Sequence, residues 1–122
     1  MGIQVKRVYD APSPADGTRI LVDRLWPRGV RKEDARIDLW WKDIAPSPEL
    51  RTWFGHRPER FAAFRDQYRV ELTADPVRRH LVEELARKSA EETVTLVYGA
   101  KDPVHNHVQV ILEVLRDIPF PS

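Results

Sequence analysis

The chain has 122 residues, 42% of them hydrophobic, which is enough to bury one core and too few for two domains, so residues 1–122 read as a single domain. Its 20 basic and 19 acidic side chains nearly cancel, to a formal net charge of +1, so no overall field recruits nucleic acid and any basic site has to be a local cluster. The absence of cysteine excludes disulfides, thiolate nucleophiles of the rhodanese or phosphatase kind, and Cys-based zinc or iron–sulfur sites.

Ile3, Val5 and Val8-Tyr9 predict a short opening strand, and the turn formers of residues 10–17 predict a loop after it. Thr18 to Arg24 reads as the second strand. Its unbroken Ile20-Leu21-Val22 suits a central, parallel strand covered on both faces. Pro27 and Gly29 end it, and residues 31–36 form a charged segment with room for one helical turn. Ile37, Leu39 and Trp41 alternate with polar neighbours and Trp40, as in a short strand with one buried face.

Ser47-Pro48 is an N-cap and first-turn signal, Leu50, Trp53 and Phe54 recur at helical spacing, and Gly55 supplies the stop. Pro58 opens the next helix, whose core stripe is Phe61, Phe64, Tyr68 and Leu72. Asp75-Pro76 repeats the cap. Val77, Leu81 and Leu85 are the expected buried stripe of a third helix, with Glu83–Arg87 and Glu84–Lys88 as ion pairs outside. Thr93 to Tyr98 is a last, almost wholly apolar strand. After a turn at residues 99–103, Val108, Ile111, Leu112 and Leu115 predict a final amphipathic helix that stops before Pro119.

Strands alternating with helices predict an α/β domain: a mostly parallel sheet of about four strands flanked by helices. The two most apolar strands each end in charge, Asp23-Arg24 on one and Lys101-Asp102 on the other. As parallel neighbours they would bring both ends to one edge, where open α/β sheets bind ligands. Arg24, Arg28 and Lys101 are therefore the candidate anion site, since guanidinium groups grip carboxylate or phosphate in a two-pronged geometry. Asp23 or Asp102 would orient them, Trp26 would stack or pack beside them, and Asn106 belongs to the same polar set. Surface charges paired with Asp23 and Asp102 are the competing explanation.

His107 or His56 is the candidate proton carrier, because an imidazole titrates near neutrality. On a helix His105 and His107 lie about 200° apart and cannot share a metal from one face, so no metal site is expected, and no cofactor. Gly-rich dinucleotide and phosphate loops, His-Glu-x-x-His and Gly-x-Ser-x-Gly are all missing. No apolar run reaches the ~20 residues of a membrane span. Residues 1–6 lack a signal-peptide core, and Lys6 breaks the myristoylation pattern, so a cytoplasmic protein is expected.

Three motifs extend beyond these readings: residues 22–29 (Val-Asp-Arg-Leu-Trp-Pro-Arg-Gly); residues 42–47 with Leu50-Arg51 and residues 53–56; and residues 100–102 with Asn106-His107. Together, in this order and spanning nearly the whole chain, they resemble the YeaO-like bacterial proteins of the domain of unknown function 488. Val108 stands where such proteins usually carry a small residue. The resemblance implies a small cytoplasmic α/β domain in which the three motifs meet, and it implies no substrate. The functional expectation is an enzyme or binding domain for a phosphate-bearing small molecule, a nucleotide or a nucleic-acid end. The alternative is a non-catalytic interaction or self-association module using exposed Trp26, Trp40 and Trp53. Direct nucleic-acid binding is a weaker third reading.

Overall fold

The computed structural model describes residues 2–117. Four strands, β1 (Gly2–Arg7), β2 (Thr18–Leu21), β3 (Leu39–Trp40) and β4 (Thr93–Tyr98), form one sheet in the order β1-β4-β2-β3, with every pairing parallel. The small, mostly parallel sheet of about four strands expected from the alternating pattern is therefore present, and its pairings are all parallel. β2 and β4 are its central neighbours, in the register Thr18↔Val94 to Leu21↔Val97. β2 is shorter than the predicted Thr18–Arg24. Its ladder reaches Val22, whose N–H donates to the Val97 carbonyl at 3.1 Å, and the chain then turns away so that Asp23 and Arg24 stand beyond the edge.

The sheet has two unlike faces. On one, Ile20, Val22, Val94, Leu96 and Tyr98 meet a helical layer of α2 (Pro48–Phe54), α3 (Phe61–Ala74), α4 (Pro76–Glu91) and α5 (His107–Asp117). On the other, Leu21 and Val97 are covered by Val8, Ala35 of the one-turn helix α1 (Lys32–Ala35), and the half-buried Trp26, Val30, Ile37 and Trp40. Trp40 and Trp41 thus point to opposite sides, as strand alternation requires. The predicted buried face of Ile37, Leu39 and Trp41 is corrected accordingly: Leu39 is 36% exposed, and the strand covers only two residues.

Local signals place the helices. Ser47 Oγ caps α2 by accepting from the Leu50 N–H, and Gly55 closes it in the left-handed conformation at φ 54°. Asp75 caps α4 through the Arg78 N–H. On α3, Phe64, Tyr68 and Leu72 are buried as expected, while Phe61 packs partly buried beside them. The α4 stripe is corrected: Val77 is 54% exposed, and Val82 with Leu85 fills the core. Arg78, one position along, turns inward instead and donates from Nε to the Ala45 carbonyl at 2.9 Å. The surface pairs of α4 are Arg79–Glu83 and Glu84–Arg87 rather than the predicted two. The stop expected before Pro119 lies outside the described residues.

Candidate ligand-binding site

Because all four strands run the same way, their carboxyl ends share one edge. A cavity of about 440 Å³ opens there, within the size range of small-ligand sites. Asp23, Arg24, Trp26 and Arg28 line it from the segment after β2, and Gly99, Ala100, Asn106 and His107 from the segment after β4. The turn after β1 contributes Tyr9, and α2 contributes Arg51 and Phe54, with His56 just beyond. The three motifs therefore meet in space.

The floor is a polar knot. Asp23 Oδ2 accepts the Gly99 N–H at 2.8 Å, tying the end of β2 to the end of β4. A Cβ added at Gly99 would lie 3.0 Å from that oxygen, so the carboxylate would have to give by a few tenths of an ångström to admit a side chain there. His107, brought in by the first turn of α5, places Nε2 3.1 Å from the Val22 carbonyl and 3.2 Å from Asp23 Oδ1. Two acceptors around one nitrogen assign the proton to Nε2. Beneath the ring lies Tyr68, fully buried, its hydroxyl donating to the Ile44 carbonyl at 2.6 Å. Burial pushes that hydroxyl well above its ordinary value, so it stays protonated as a donor.

Arg24 is half-buried in the wall, and its Nε is buried without an acceptor among the described residues. Arg28 and Arg51 are exposed at the mouth. Trp26 donates from Nε1 to the Val30 carbonyl at 2.7 Å and meets Trp40 edge-on at 5.5 Å, so packing fixes its ring where it lines the cavity. His56 is exposed with φ 58°, following Gly55 in the left-handed region, and this bend turns it toward the cavity.

Lys101 and Asp102 take different places. Lys101 is exposed and is not among the residues lining the cavity. Asp102 folds the 102–106 turn: Oδ1 accepts from the N–H groups of Val104 (2.9 Å) and His105 (3.0 Å), and Oδ2 lies 2.8 Å from His105 Nδ1. Those backbone bonds, His105 first and Val104 next, with the His105 ring adding to them, hold its carboxyl down from 3.8 to about 2. A depressed value makes this turn most stable above about pH 3.8 and loosens it as pH falls through about 2. An NMR titration should show the Val104 and His105 amides shifting in that window, and Asp102→Asn should remove the transition. Asn106 has 1% exposure and spends its amide on the fold, Nδ2 donating to the Asp102 carbonyl and Oδ1 capping α5 at the Gln109 N–H.

Arg51, Tyr9 and Phe54 are among the lining residues not singled out as site residues from the sequence. Arg51 and Phe54 are three apart on α2 and so share a face, a signal that was present. Tyr9 follows β1, whose end reaches the same edge once the sheet is parallel throughout. Among the described residues no group of three or more His, Asp or Glu side chains is arranged to hold a metal ion, and no helix is long and apolar enough to cross a membrane.

Residues 2–118 match the family described as the inactive DUF488-N3 subclade. The chain is 44% identical to YeaO of Escherichia coli K12 over 118 residues, covering 97% of this chain and all of that one. It is 41% identical over 114 residues to proteins of Mycobacterium tuberculosis H37Rv and Mycobacterium bovis, covering 93% of each chain. All three relatives are described as uncharacterised. No solved structure matches. The match along nearly the whole length, with these relatives, shows that the chain belongs to the YeaO-like DUF488 family, in the branch described as inactive.

Proposed function

We propose that this chain is a binding domain for a phosphate-bearing small molecule, held at the carboxyl edge of the sheet without being chemically changed. The observation that carries the proposal is the charge of the cavity. Arg24, Arg28 and Arg51 face it with a single carboxylate, Asp23, whose Oδ2 accepts the Gly99 N–H while Oδ1, 3.2 Å from His107 Nε2, makes no hydrogen bond among the described residues. Binding is favoured over catalysis because His107 Nε2 is committed to the Val22 carbonyl, and because the matching family branch is described as inactive. A cytoplasmic setting belongs to the same proposal.

The module built on exposed tryptophans has less support. Trp26 and Trp40 are half-buried against each other, and Arg60 lies 5.1 Å over the ring of Trp53, which is 40% exposed.

Charge-assisted hydrogen bonds contribute about 1.5–3 kcal/mol each. Arg24→Ala and Arg28→Ala are therefore each expected to weaken binding of a phosphate monoester tenfold or more in titration calorimetry, with melting temperatures nearly unchanged. Unchanged affinity would remove the proposal, and a large loss of stability in both variants would make them structural residues instead.

A further inference from the structure

Beside its polar floor the cavity has an apolar wall. The wall is buried, made by Phe54 at 5% exposure, Phe64 at 1% and Ala45 at 2%, with Pro46 beside them. Phe54 and Phe64 are stacked on each other, ring centroids 4.4 Å apart, which holds both rings in place in this wall. Two of the arginines, Arg28 and Arg51, lie exposed at the open end, and Arg24 is half-buried in the wall. A bare anion held by the outer arginines would leave the apolar wall against water, whereas an apolar plate carrying an anion covers both.

Resting on the anion-binding reading above, we infer that the ligand is a phosphate monoester of a flat ring, of the nucleoside 5′-monophosphate class, bound ring first with its phosphate at the rim. The ring packs against the wall formed by Phe54, Phe64, Ala45 and Pro46, and Arg28 with Arg51 clamps the phosphate where it meets solvent. Trp26, locked by Val30 and Trp40, supplies a further aromatic side. The arrangement has the polarity of a site that draws a base inward and leaves its backbone outside.

The test is titration of the whole protein with adenosine and uridine 5′-monophosphate, ribose 5-phosphate and inorganic phosphate, joined to saturation-transfer NMR on the bound ligands. The nucleoside monophosphates are expected to bind at least tenfold more tightly than ribose 5-phosphate. Their base protons should receive more saturation than the C5′ protons, and Arg28→Ala with Arg51→Ala should lower the affinity of every phosphate compound. Equal binding of ribose 5-phosphate and the nucleotides, still sensitive to both arginine substitutions, would overturn the ring-first inference and leave the anion site standing. A larger saturation of C5′ than of base protons would overturn it as well. Absence of binding by all four compounds would remove the anion-binding reading and this inference together.

Discussion

Arg19→Ala is expected to cost about 3–5 kcal/mol, the range seen when one partner of a buried ion pair is removed. Arg19 lies on β2 at 3% exposure, its Nη1 2.6 Å from Asp16 Oδ2, and both Nε and Nη2 donate to the Ala35 carbonyl. Asp16, also 3% exposed, accepts in addition from Lys6 at 2.9 Å and from the Ser13 N–H at 3.0 Å. Deleting the guanidinium leaves a buried carboxylate short of a partner and frees the turn at residues 14–16, together with α1, from the underside of the sheet. Against a total stability of about 5–15 kcal/mol this is a large fraction, readable as a lower midpoint in urea unfolding at unchanged slope. A loss below about 1 kcal/mol, the value of an exposed pair, would show that the pair is solvated.

The same pair links to pH. Burial by itself would raise the Asp16 carboxyl, but hydrogen bonds from Lys6, Ser13 and Arg19 prevail and hold it below its ordinary 3.8. Its stabilisation is therefore fully present above about pH 3.8 and is lost as pH falls through the depressed value. Arg19→Ala should flatten this part of the acid-unfolding profile.

The fold was readable where apolar runs were long. Ile20-Leu21-Val22 and Leu96-Val97-Tyr98 marked the two central strands, and parallel pairing carried Asp23-Arg24 and the Gly99–His107 segment to one edge. Where a charged residue turned inward the reading failed. Arg78 occupies the end of the α4 core stripe because the Ala45 carbonyl and Asp75 satisfy its guanidinium, so an apolar template chose Val77 in its place. Arg19 escaped for the same reason: its partner is three residues back in a turn, and strand periodicity does not report such a bond. Lys101 and Asp102 were placed by strand direction alone. The Asx-type turn that Asp102 builds determines where the loop goes, and periodicity carries no information about it.

The two edges of the sheet divide the work, and Gly17 tests the division. Gly17 sits just before β2 at the amino edge with φ 63° and ψ −137°, a region that only glycine enters freely. A Cβ there would stand 2.2 Å from the Thr93 carbonyl oxygen and 2.8 Å from its carbon, both main-chain atoms at the start of β4. Gly17→Ala has to pay backbone strain of about 1–3 kcal/mol and overpacking of a similar size, giving an expected loss of about 2–6 kcal/mol. In thermal melts that is a fall of roughly 10 °C or more. The cavity lies at the opposite, carboxyl edge, so well below its melting point the variant should bind a phosphate monoester with nearly wild-type affinity, in contrast to Arg24→Ala and Arg28→Ala. Loss of affinity in Gly17→Ala at a temperature where it is fully folded would mean that strain at the amino edge is transmitted along β2 and β4 to Asp23 and Gly99. The floor of the site would then depend on the register of the whole sheet rather than on the local Asp23–Gly99 hydrogen bond.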